Sequence, residues 1–134
     1  MDLTCFLIDD DQDDHEIFAM ALESVDKNYN CITAVNGQDA LEKLNTDKTF
    51  IPDFIFLDLN MPVMNGKQFL QEIKNLTLPH SIPVVIYTTS SFQKDIEETK
   101  KLGASHFLVK PSSIEELSGK LSLLFQNQAV SYLI

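Results

Sequence analysis

Asp9 and Asp10 close one apolar run, Asp58 closes a second, Thr88 ends a third, and Lys110 with Pro111 follows a fourth. In an open parallel sheet the carboxyl ends of the strands line one edge, and ligands bind in the crevice outside it where the winding direction reverses. Residues of these types at four strand ends would therefore meet. Carboxylates about 4 Å apart repel by roughly 4 kcal/mol per pair at an effective dielectric near 20, so three acids share a crevice only beside positive charge. Lys110 supplies one such charge. A divalent cation suits the remainder, because Mg²⁺ takes hard oxygens, keeps several waters and accepts one or two carboxylates plus phosphate oxygens. The pattern points to chemistry on a phosphoryl group.

Holding those ends side by side requires repeated βα units, and short apolar runs do alternate with longer helix-period segments along the chain. Strands are expected near residues 3–9, 31–35, 53–58, 83–89 and 105–109, several of them apolar without alternation, as burial on both faces requires. Ile17, Phe18, Ala21, Leu22 and Val25 form the apolar face of a first helix, with Asp13 and Asp14 in its first turn, where negative charge suits the dipole. Asn36 is a natural N-cap for a second helix buried through Ala40, Leu41 and Leu44, so Asp39 reads as structural. A third helix follows Asn65 and Gly66 with Phe69, Leu70, Ile73 and Leu76 inward. A fifth runs from about Ser113 through Ile114, Leu117, Leu121 and Leu124, slightly weakened by Gly119. The fourth, roughly 93–102, has only Ile96, Thr99 and Leu102 to turn toward the sheet. Helices owe most of their stability to an apolar face, so this one is expected to be weakly anchored and able to shift.

The chain has 134 residues and a formal net charge of −10. The expected organisation is one domain over residues 1–127 and a short apolar tail over 128–134, without room for a separate output domain. The acidic balance opposes nucleic-acid phosphates and anionic membranes, and no basic run longer than Lys100 and Lys101 offsets it. The apolar start is too short for a signal-peptide core or a membrane span, so a cytoplasmic location is expected. Cys5 and Cys31 lack metal-type spacing and read as small buried thiols. His15, His80 and His106 show no partner spacing for a metal or catalytic pair and read as incidental.

Four segments carry a resemblance to a known family: FLIDDD at 6–11, FLDLNMPVMNG at 56–66, VVIYTTS at 84–90 and GASHFLVKP at 103–111. In order and spacing the chain resembles a bacterial two-component response-regulator receiver domain, CheY-like and of the single-domain type, over nearly its whole length. The resemblance implies a doubly wound α/β fold, flavodoxin-like, with a five-stranded parallel sheet in the order 2-1-3-4-5. It implies that Asp58 is the phosphoacceptor, that Asp9, Asp10 and Asp58 with the backbone carbonyl of Asn60 hold Mg²⁺ or another divalent cation such as Mn²⁺, and that Asp11 is an extra acid. Lys110 and Thr88 would contact the phosphoryl group with help from the Thr89 backbone N–H, and Thr88 and Phe107 occupy the switch positions. A cis Lys110–Pro111 bond is also implied. The phosphodonor would be a sensor histidine kinase or a histidine phosphotransfer protein, and the output an unnamed protein target reached through the fourth helix, fifth strand and fifth helix.

Elementary chemistry supports these roles, since a carboxylate can attack phosphorus and phosphoryl transfer needs mainly alignment and charge neutralisation. Two other readings use the same residues. A phosphorylation-independent pseudo-receiver would be favoured by a missing acid, Thr88 or Lys110, and none is missing. An Asp-nucleophile phosphohydrolase generally needs a second carboxylate two residues beyond the nucleophile, where this chain has Asn60. The domain is therefore read as a signalling module that assists its own phosphorylation and dephosphorylation, and not as an enzyme acting on an external substrate.

Overall fold

The computed structural model describes residues 2–78 and 81–134, so His80 lies outside the described residues. Five βα units follow in order: β1 (Thr4–Ile8) and α1 (Gln12–Val25), β2 (Asn30–Ala34) and α2 (Gly37–Thr46), β3 (Phe54–Leu57) and α3 (Gly66–Glu72), β4 (Val84–Thr88) and α4 (Gln93–Lys101), β5 (His106–Val109) and α5 (Ile114–Phe125). The strands form one parallel sheet in the order β2-β1-β3-β4-β5; the alternating pattern led to the five parallel strands, and the resemblance to their order.

The sheet separates two apolar layers. On one side Phe6, Ile8, Ile55, Leu57, Ile86 and Phe107 meet Ala40 and Leu44 of α2 and Phe69 and Leu70 of α3, with Ile96 and Leu102 of the α4 region packed more loosely. On the other, Cys5, Leu7, Phe56, Val85, Tyr87 and Leu108 meet Phe18, Ala21 and Leu22 of α1 and Leu117, Leu121 and Leu124 of α5. Alternate residues of β1, β3 and β4 thus face opposite layers, which explains why these strands read as unbroken apolar runs.

Capping fixes where the helices begin. Asp11, Asn36, Asn65 and Ser113 each accept a backbone N–H of their own first turn through a side-chain oxygen, and Asn65 and Gln68 form a reciprocal capping box. α4 starts at Phe92 without a side-chain cap, and Thr99 is its one buried residue. The weak apolar face expected from sequence is present, and polar ties take its place. Lys67 of α3 bonds Asp95 and Glu98, each at 2.7 Å, and the Ser90 hydroxyl donates to Asp95 at 2.5 Å.

Three further features depart from, or were invisible to, the sequence reading. Ile17 is 40% exposed, because a position one residue before the buried Phe18 is turned about 100° away from the core. The outer edge of β2 is partly covered by α2: Lys43 donates to the Thr33 carbonyl at 2.7 Å and Asp39 accepts the Val35 N–H just past the strand at 3.0 Å. The apolar tail packs on the outer edge of β5. There the Phe107 N–H donates to the Tyr132 carbonyl at 2.7 Å and the Ile134 N–H to the Phe107 carbonyl at 3.0 Å.

Candidate functional site

Sheet register decides which side chains meet. Ile8 pairs with Leu57 across β1 and β3, so the next residues, Asp9 and Asp58, are neighbours, and Thr88 pairs with Val109, so Lys110 follows beside Thr88. One hydrogen bond beyond each strand locks these ends: Asp9 N–H to the Ala34 carbonyl at 3.0 Å, Asp58 N–H to Ile8 at 3.0 Å, and Lys110 N–H to Thr88 at 2.8 Å. Gly66 makes the loop after β3 possible. A Cβ there would lie 2.4 Å from the Asp58 carbonyl oxygen and 2.9 Å from the Leu59 Cα, so only glycine lets α3 start this close.

Asp9, Asp10 and Asp58 each bring a carboxylate oxygen within 4.8 Å of the others. Asp9 is fully buried and Asp58 nearly so, whereas Asp10 is exposed and opens the cluster to solvent. Lys110 reaches in with its ammonium 2.8 Å from Asp9, 2.6 Å from Asp14 and 3.6 Å from Asp58. It also lies 5.3 Å from the ring centroid of Tyr87, within cation–π range.

Charge balance explains the titration of this group. Burial raises the Asp9 carboxyl above its ordinary range and the charge of Asp58 adds to it, although Lys110 and the Asp11 N–H pull the other way. Burial alone would lower Lys110, yet its hydrogen bonds to Asp14 and Asp9 and the charge of Asp58 outweigh that and hold the ammonium firmly protonated. The two directions are compatible because one cation faces three carboxylates: Lys110 gains from all of them, whereas the burial of Asp9 outweighs its bonds to Lys110 and the Asp11 N–H. A divalent cation would add positive charge to this acidic cluster. Oxygens sharing one Mg²⁺ at about 2.1 Å are at most roughly 4.2 Å apart, so a cluster within 4.8 Å is of the size such an ion would require.

The other expected site residues are placed unevenly. Thr88 is fully buried at the end of β4, and its hydroxyl oxygen accepts the Ser90 N–H at 3.4 Å. Thr89 follows it on the exposed rim. The Asn60 N–H points to Asp58 Oδ1 at 3.4 Å. Phe107 is fully buried in the layer shared with α2 and α3. Asp11 caps α1 by accepting the Asp13 N–H and donates its own N–H to Asp9.

Among the described residues no peptide bond is cis, so the expected cis Lys110–Pro111 bond is corrected to trans. The ion pairs with Asp9 and Asp14 turn Lys110 inward without it. Two residues of α1 were missed as part of the site. Asp14, assigned to the helix dipole, is also the nearest carboxylate to Lys110. His15, read as incidental, is buried and donates its Nε2–H to the Asp9 carbonyl at 2.6 Å. The signal for His15 was its spacing of three and seven residues before Phe18 and Leu22, which puts it on the buried stripe.

The chain matches the response regulator receiver domain over residues 5–122 and belongs to that family, the receiver domain of two-component signalling. A protein-glutamate methylesterase/protein-glutamine glutaminase of Clostridium acetobutylicum is 40% identical over 114 residues, covering 83% of this chain and 31% of that protein. Response regulator ArlR of Staphylococcus aureus is 32% identical over 126 residues, covering 94% of this chain and 54% of that protein. The chain thus spans between a third and about half the length of these curated relatives. Among solved structures, the phosphorylated cyanobacterial phytochrome response regulator RcpA superposes with a TM-score of 0.83 at 25% identity, covering 97% of this chain and 96% of that one. Chemotaxis protein CheY4 of Vibrio cholerae gives 0.77 at 29% identity, covering 91% and 98%. Among the described residues no helix is long and apolar enough to cross a membrane.

Proposed function

We propose that this receiver accepts a phosphoryl group on Asp58 from a phosphohistidine of a sensor kinase or phosphotransfer protein, and changes a protein-binding surface in response. The observation that carries this reading is the buried Asp58 carboxylate, 3.6 Å from the Lys110 ammonium and clustered with the carboxylates of Asp9 and Asp10. An Asp58 oxygen forms the new O–P bond while the N–P bond of the phosphohistidine breaks, and the departing imidazole keeps the electron pair and takes up a proton. Asp9, Asp10 and Asp58, with the Asn60 carbonyl, would hold Mg²⁺, which supplies charge neutralisation at the phosphoryl oxygens. Lys110 and the Thr88 hydroxyl contact those oxygens, and the Thr89 N–H assists. The receiver proper is residues 1–127, and residues 128–134 are an appended segment.

The test is intact-mass spectrometry after incubation with Mg²⁺ and acetyl phosphate, beside an Asp58→Ala variant and an EDTA control. One phosphoryl adduct, lost in both controls, is expected. A folded protein that binds Mg²⁺ but gains no adduct from either acetyl phosphate or a phosphorylated histidine donor would favour the pseudo-receiver reading.

A further inference from the structure

The segment on the β5 edge does more than pack. Leu133 bridges to Phe107 in parallel register, Tyr132 reaches the layer under α4, and Ile134 reaches the opposite layer. The segment therefore straddles the sheet edge and fills both main-chain hydrogen-bonding groups of Phe107. Its third tie is His106, whose Nδ1–H donates to the Ser131 carbonyl at 2.8 Å. An open strand edge is a template for an extended segment from another protein, and here the chain's own residues occupy it.

Tyr132 connects this edge to α4. The Thr99 hydroxyl reaches the Asp95 carbonyl at 2.7 Å, and with its proton placed there Tyr132 is the donor in the 2.6 Å bond between the two hydroxyls. Asp95 is thereby held at both ends. Its carbonyl takes Thr99, and its carboxylate takes the Ser90 hydroxyl, while the Ser90 N–H leans on the Thr88 oxygen. A continuous chain of contacts runs Thr88, Ser90, Asp95, Thr99, Tyr132. It passes along the helix with the weakest apolar anchorage.

We propose that residues 131–134 form an inhibitory strap: seated on the β5 edge, they hold α4 through Tyr132 against the rearrangement that phosphoryl occupancy favours. This rests on the phosphoacceptor reading above. When the Thr88 hydroxyl turns to a phosphoryl oxygen, the Ser90 N–H loses its acceptor, and the shift passes through Asp95 to the Thr99–Tyr132 bond. Strap closure and phosphoryl occupancy then oppose each other, and the opposition is reciprocal.

The experiment uses the full chain with Mg²⁺ and beryllofluoride, a phosphoryl mimic. Amide exchange at Phe107 and Ile134 is read with and without the mimic, and mimic affinity is measured by calorimetry for wild type, Tyr132→Phe and Thr99→Val. Faster exchange at both amides on mimic binding, and about three- to tenfold tighter binding in both variants, are expected. Unchanged or slower exchange, or unchanged affinity in both variants, overturns the strap while leaving the phosphoacceptor reading intact. Absence of any mimic binding to the wild type overturns both.

Discussion

Replacing Lys110 by methionine keeps the volume of the stem and removes the charge. The ammonium sits 2.8, 2.6 and 3.6 Å from Asp9, Asp14 and Asp58. At an effective dielectric near 20 such separations correspond to gross attractions of about 5 to 6 kcal/mol each, most of which desolvation of the same groups cancels. What remains is the penalty of leaving carboxylates behind. Asp14 is 21% exposed and can turn to water, whereas the Asp9 side chain is wholly buried and Asp58 is at 9%. Breaking a buried pair by removing one partner costs roughly 3–5 kcal/mol. With one carboxylate free to escape, the low end applies, about 3 kcal/mol, or a melting point lower by about 10 °C. Urea unfolding of wild type and Lys110→Met in EDTA measures it. Adding Mg²⁺ is expected to stabilise the variant more than the wild type, because the cation then replaces a missing charge. A loss below about 1 kcal/mol in EDTA, or equal gains from Mg²⁺, would refute the idea of an over-acidic, desolvated pocket.

Gly66→Ala sets a Cβ against backbone atoms at 2.4 and 2.9 Å and is expected to cost about 1–3 kcal/mol and to cut the yield of phosphoryl adduct at Asp58, read by denaturation and intact mass. Gly119→Ala places its Cβ in open space on the exposed side of α5, so a gain in stability of about 0.5–1 kcal/mol, read as a higher urea midpoint, is expected. Asp95→Asn tests the α3–α4 tie through pH. Hydrogen bonds from Lys67 and Ser90 hold the Asp95 carboxyl below its ordinary value, so its contribution is complete above the unfolded carboxylate pKa of about 3.9 and is lost as pH falls through the folded value. The wild type is therefore expected to exceed the variant in stability at pH 7, and the gap to shrink below about pH 4.

The strand ends were legible because period and residue type agree there: unbroken apolar runs mean buried parallel strands, and register then forces Asp9 beside Asp58 and Lys110 beside Thr88. What escaped was set by contacts distant in sequence. Asp14 looked complete as a first-turn acid, and nothing local says that a lysine from β5 will reach it. His15 did carry a periodic signal, but a lone histidine on an apolar stripe has no stated partner until the Asp9 carbonyl arrives beside it. Tyr132 could not be placed from its neighbours, since its partners, Phe107 and Thr99, belong to two other elements. The cis Lys110–Pro111 bond implied by the resemblance is trans, and Lys110 faces inward through its pairs with Asp9 and Asp14.

Every parallel sheet of this kind ends in two unsatisfied rims, and the chain treats them differently. At β5 the rim is met by main chain, through Tyr132 and Ile134. At β2 it is met by side chains of α2, with Lys43 on the Thr33 carbonyl and Asp39 on the Val35 N–H, beside the exposed Ile32 and Val35. The β2 closure guards against stacking of one copy on another, because a strand docking there must first strip off a charged pair and bury it. Loss of Lys43 would free the Thr33 carbonyl next to two exposed aliphatic side chains, and this flank would then offer an open acceptor to an incoming strand.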